Sequence, residues 1–120
     1  MKTIQEKQLE FLNDTISHFN STNRGINKTV GNCSYVAGCA IGRHLPKELC
    51  ERFDSGDYKY TAILNLNIFN QLPDNLKELT IEFLDQIQGL HDREYYWDEK
   101  SLTNEGLEKV NIIKAKFSLN

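Results

Sequence analysis

A chain of 120 residues and 13.9 kDa has room for one hydrophobic core and no second independent one. Apolar types make up 39 % and charged types 26 %, which excludes a disordered, collagenous or membrane-embedded chain. The net charge of −3 excludes a strongly basic nucleic-acid binder.

The charge is unevenly spread. Between Ser21 and Phe53, Arg24, Lys28, Arg43, Lys47 and Arg52 face only Glu48 and Glu51. Between Asp74 and Glu99, eight acids face Lys77 and Arg93. Such polarity reads first as solvated helix faces, and second as an acidic surface for a basic partner. The first ten residues are polar and helix-forming, without the apolar core of an export signal. Three cysteines, Cys33, Cys39 and Cys50, are an odd number, so thiols in a reducing, cytoplasmic setting are expected.

In chain order, residues 3 to about 20 place Leu9, Leu12, Ile16 and Phe19 at steps of three and four, one face of an amphipathic helix. Turn formers from Asn20 to Gly25 end it. The stretch from Val30 to Gly42 is rich in Gly and β-branched residues, and it predicts a short β-hairpin near residues 32–42. A loop at Val36-Ala37-Gly38 would pair Tyr35 with Cys39 and Cys33 with Ile41. Leu45-Pro46 opens a short helix to about Phe53. Asp54 to Asp57 reads as a loop, and Tyr60 to Phe69 fits helix or strand equally. Leu72-Pro73 opens the clearest helix, with Leu76, Leu79, Phe83, Ile87 and Leu90 as its stripe. Arg93 to Lys100 reads as an aromatic loop covering the core. Thr103 caps a last helix that buries Leu107, Val110, Ile113 and Phe117. The expected fold is α+β and mainly α, a single domain over residues 1–120. It has about four helices, with the hairpin laid across the helix that ends at His91.

Four constellations could carry chemistry. Cys33 and Cys39 would sit diagonally on the hairpin, roughly 7–8 Å apart, beyond the usual disulfide span of about 4.4–6.8 Å. As metal ligands they would need His44 and His91 to complete a set, with a spacer longer than zinc motifs use. Packed structural thiols are the plainer expectation. Cys39 with His91 and Asp92 supplies the elements of a thiol-nucleophile site, but Asp92, next in sequence, is expected to point away from the imidazole on a helix. Gly38 to His44, with Arg43 and His44 as its cations, could cradle a phosphorylated small ligand. It matches no phosphate-loop pattern. Tyr95, Tyr96 and Trp97 could anchor a partner or close the core.

These residues also carry a resemblance. Cys33-x-Tyr35, Gly38-Cys39-Ala40-Ile41-Gly42-Arg43, then Leu90-His91-Asp92, Trp97 and Leu102-Thr103-x-x-Gly106 recur in this order. The chain resembles, over roughly residues 30–110, a loose family of small phage- and bacterium-encoded proteins. Those carry a Cys-x-Tyr…Gly…Cys-Ala-Val-Gly segment and a later Leu-His-Asp…Trp segment. The resemblance implies a mobile-element context, in which small proteins often bind and block a host defence component. It carries over no catalytic residue.

The expected function is therefore binding without turnover, by Arg43, His44, His91, Tyr95 and Trp97, with a host protein as the leading partner. A small anionic ligand comes second, and neither nucleic acid nor membrane is expected. The alternative is a thiol enzyme using Cys39 and His91. No cofactor is expected.

Overall fold

The computed structural model describes residues 2–21, 26–27, 32–33, 40–53 and 69–119, the two short pieces as backbone. Helix α1 spans Ile4–His18. Thr3 starts it: its Oγ1 accepts from the Glu6 amide at 3.1 Å, satisfying one of the orphan donors of the first turn. Phe19 ends it in extended backbone. The fully buried stripe is Gln8, Leu12, Thr15 and Phe19, while Leu9, Phe11 and Ile16 flank it half-buried. Two polar residues thus lie on the core face. Each has a partner that offsets its burial: Gln8 Nε2 donates to the Leu79 carbonyl at 2.8 Å, and Thr15 Oγ1 donates to the Phe11 carbonyl at 2.8 Å.

The expected α+β fold is not found. The described residues are mostly helical, 69 % of them, in five α-helices. Among the described residues of this region, strand pairing covers two residues on each side, β1 at Ile26–Asn27 and β2 at Asn32–Cys33. The register also differs from the predicted hairpin. Cys33 pairs with Ile26, not with Ile41. Residues 34–39, where the predicted loop fell, lie outside the described residues. Ala40 and Ile41 are fully buried in a turn, followed by a 3₁₀ turn, η1, at Gly42–His44. A segment whose Ala, Ile and Gly are all enclosed cannot be half of a ribbon with one face open. At Gly42, buried in that turn, the pattern marks close packing.

Helix α2 follows at Lys47–Phe53. The Pro46 carbonyl accepts from the Leu49 and Cys50 amides at 3.1 Å each, so proline stands just before the helix it initiates. Cys50 turns inward and donates Sγ–H to the Gly42 carbonyl at 3.3 Å, tying α2 to η1. Residues 54–68, including most of the ambiguous 60–69 segment, lie outside the described residues.

The helix predicted after Leu72-Pro73 is two helices. Helix α3 covers Asp74–Lys77 and α4 covers Ile81–Asp92. All five stripe residues, Leu76, Leu79, Phe83, Ile87 and Leu90, are buried as expected. The chain breaks at Thr80, which has φ 77° and ψ 148°, and its Oγ1 caps α4 by accepting from the Phe83 amide at 3.3 Å. Gln8 holds the preceding carbonyl from across the core, so the break is fixed by a tertiary contact that periodicity cannot display.

After α4 a second 3₁₀ turn, η2, covers Glu94–Tyr96, and Trp97 pairs with Leu102 in an isolated antiparallel bridge. Asp98 closes the intervening turn: one carboxylate oxygen accepts from the Lys100 and Ser101 amides at 2.8 and 2.9 Å. Helix α5 spans Asn104–Phe117, capped by Thr103, whose Oγ1 accepts from the Gly106 amide at 3.2 Å. Its buried stripe departs from the expected one. Gly106, Val110 and Ile113 face inward with Phe117 half-buried, and Leu107 is 51 % exposed. Gly106 is the reason. A Cβ there would lie 2.3 Å from the Tyr96 carbonyl oxygen, so α5 approaches η2 along its glycine and turns Leu107 outward.

Among the described residues no helix is long and apolar enough to cross a membrane.

Candidate functional site

The single turn of η1 decides where the two cations go. The His44 amide bonds to the Ile41 carbonyl and the Leu45 amide to that of Gly42, both at 3.0 Å. With Ile41 locked in the core, Arg43 and His44 project against the outer side of α1. Phe11, Asp14 and His18 lie there at steps of three and four, a stripe beside the buried one. Arg43 Nη1 donates to Asp14 Oδ2 at 2.5 Å and to His44 Nε2 at 2.9 Å. His44 Nε2 is 3.7 Å from the same Asp14 oxygen, and its ring lies 4.8 Å from that of Phe11. The Arg43 guanidinium carbon stands 5.8 Å from the centre of the Phe19 ring.

The electrostatics follow from this packing. The hydrogen bond from Arg43 holds the Asp14 carboxyl below its ordinary range, with partial burial opposing and the guanidinium charge assisting. Burial lowers His44 first, and the neighbouring Arg43 charge lowers it further against the pull of Asp14. His18 is lowered for the same two reasons, burial leading. Asp14 and His18 were not singled out by sequence reasoning. Their spacing with Phe11 was the available signal, but nothing in the sequence says that η1 packs on that stripe.

Phe19 connects this cluster to the second candidate region. Its ring meets His91 edge-on at 4.9 Å and lies 6.3 Å from Trp97. His91 closes α4 with its side chain fully buried, and its Nδ1 lies 2.8 Å from Asp92 Oδ1. Asp92 does not point away as expected. The backbone leaves the helix at Arg93 (φ −87°, ψ 112°), so the last helical side chain is unhindered in folding back on its neighbour.

No family model matches the chain, and neither curated proteins nor solved structures give a match.

The remaining residues singled out above divide between core and surface. Trp97 is 4 % exposed, and its indole N–H is spent on the Leu90 carbonyl at 2.9 Å, so it closes the core. Tyr95 is 56 % exposed, its ring against that of Tyr96 at 4.6 Å. Cys39 lies outside the described residues, and Cys33 is described as backbone, in a strand that packs on α4. Of the metal set proposed from sequence, His44 is engaged with Arg43 and Asp14, and His91 with Asp92. Among the described residues no group of three or more His, Cys, Asp or Glu side chains could hold a metal ion. An open depression of about 390 Å³ runs between α1 and the turn at 75–79, with Phe11 and Leu79 in its lining. The lysines on its rim are committed to carboxylates: Lys2 to Glu10 at 2.7 Å and Lys7 to Glu78 at 3.2 Å.

Proposed function

We propose that this protein works by binding a protein partner, without turnover, through the polar cluster that η1 and α1 present together with the exposed Tyr95. In keeping with the family resemblance, the partner is a host protein, and the setting is the host cytoplasm. The observation that carries the reading is the seat of Arg43. Its guanidinium is gripped by Asp14 and rests on the fully buried Phe19, so a cation and two imidazoles are presented from a rigid base. Pre-ordered Arg and Tyr side chains are the anchors that protein interfaces favour. The small-anion alternative gains less support, because a carboxylate of the chain itself already occupies the guanidinium.

The test is capture followed by reconstitution. Tagged protein is incubated with host extract, the retained protein is purified, and its affinity is measured by calorimetry. The double variant Arg43→Ala/Tyr95→Ala is expected to keep the helical circular dichroism of the wild type and to lose at least tenfold in affinity. No specific retention, or equal affinity for the double variant, overturns the reading. Trp97 has no place in this test, since its removal opens the core.

One contact favours a second reading, a thiol enzyme on Cys39 and His91. Asp92 meets His91 Nδ1 as an orienting carboxylate would. This reading expects rapid alkylation of Cys39 by iodoacetamide, abolished in His91→Ala. Against it, the imidazole is covered by the Phe19 ring and has no exposed surface for a substrate.

A further inference from the structure

Arg43 and His44 share a hydrogen bond whose direction is fixed by chemistry. A guanidinium has donors and no acceptor. The 2.9 Å contact from Arg43 Nη1 therefore requires a lone pair on His44 Nε2, with the ring proton on Nδ1. The charged and titratable side chains that face His44, among the described residues, are Asp14 and His18 from α1 and Arg43 from its own turn.

We propose that His44 is a proton-operated catch on the joint between α1 and η1. With Nε2 unprotonated, the imidazole accepts from Arg43 and the guanidinium spans both Asp14 and His44. A proton on Nε2 turns that acceptor into a donor aimed at another donor, and places a second cation 2.9 Å from the guanidinium. The imidazolium then competes with Arg43 for the one Asp14 oxygen that Arg43 uses, from 3.7 Å away. Repulsion acts over the shorter distance and attraction over the longer, so protonation loosens the joint. Burial of the imidazole and the nearby His18 act in the same sense.

The sign is definite. A histidine whose charged form is disfavoured in the folded state contributes stability above its unfolded value, near 6.5. That contribution is lost as pH falls through the folded value. The device belongs to the fold and holds whatever the surface binds.

The experiment is a nitrogen-15 NMR titration of the wild-type imidazoles, with hydrogen exchange of the η1 amides. At pH 7.5 His44 is expected as the Nδ1–H tautomer, titrating below the ordinary histidine range. The His44 and Leu45 amides are expected to exchange faster once it is charged. Arg43→Gln should raise the His44 midpoint, and His44→Gln should remove the pH dependence of exchange in η1. An Nε2–H tautomer at pH 7.5, or a midpoint at or above the ordinary value, overturns the proposal. Both of those readouts need only the wild type, so a variant that fails to fold does not blunt the test.

Discussion

Gly106 and Gly89 show how differently one residue type acts at two places. At Gly106 a methyl group would strike the Tyr96 carbonyl oxygen at 2.3 Å and the Leu102 side chain at 2.8 Å. Backbone cannot move aside as a flexible side chain can, so Gly106→Ala is expected to cost roughly 2–3 kcal/mol through overpacking. At Gly89, inside α4, nothing lies within 4 Å of the same position. There Gly89→Ala should stabilise by about 0.5–1 kcal/mol, since alanine loses less backbone freedom on folding. Urea unfolding of both variants checks the pair, and the account requires opposite signs. Asp14 supplies a further prediction at this scale. Its carboxyl is held low by the Arg43 hydrogen bond, so its contribution stands above the unfolded value of 3.8 and fades as pH falls through the folded one. Wild type is expected to lose more thermal stability than Asp14→Asn on acidification into that range. Equal losses would show that the pair contributes nothing measurable, as many half-exposed ion pairs do.

The break between α3 and α4 concentrates the element-scale argument. Thr80 holds a backbone conformation that β-branched residues avoid, at a cost of about 1–3 kcal/mol, while its hydroxyl caps α4. A glycine cap loses only a few tenths of a kcal/mol relative to threonine. Allowing also for glycine's extra chain entropy, Thr80→Gly should raise stability by about 1 kcal/mol in urea melts. A loss of that size would mean that the cap outweighs the strain. Trp97→Ala removes both the packing on Phe19 and the bond to the Leu90 carbonyl, and should cost about 3–5 kcal/mol. Most helices were legible from the sequence because period and caps agree in them. Thr103 is legible as a cap and Thr3 is not; the apolar steps placed α1, α4 and α5, and the Leu45-Pro46 start placed α2. The hairpin was misread because small and β-branched residues suit close packing as well as strands, and Ala40 and Ile41 are there for the core. The α3–α4 break escaped because both halves share one stripe, and the agent that separates them, Gln8, is 71 residues away.

Across the whole molecule, the residues read from sequence as one working surface divide by burial. His91 and Trp97 are absorbed into the core around Phe19, and Arg43, His44 and Tyr95 stay within reach of solvent. That division was hidden from the sequence, because a histidine ending an apolar stripe and an aromatic run after it are compatible with either place. It also separates two ways of working. A binding protein needs its outer groups and uses His91 for stability, and a thiol enzyme needs His91 for its reaction. The most direct measurement is the calorimetric affinity of three forms for the captured partner: wild type, Arg43→Ala/Tyr95→Ala, and His91→Gln with its folded fraction determined. Loss of affinity confined to the surface pair, with His91→Gln melting earlier but binding normally when folded, is the predicted result. Affinity that survives in the surface pair and disappears in folded His91→Gln would contradict the account.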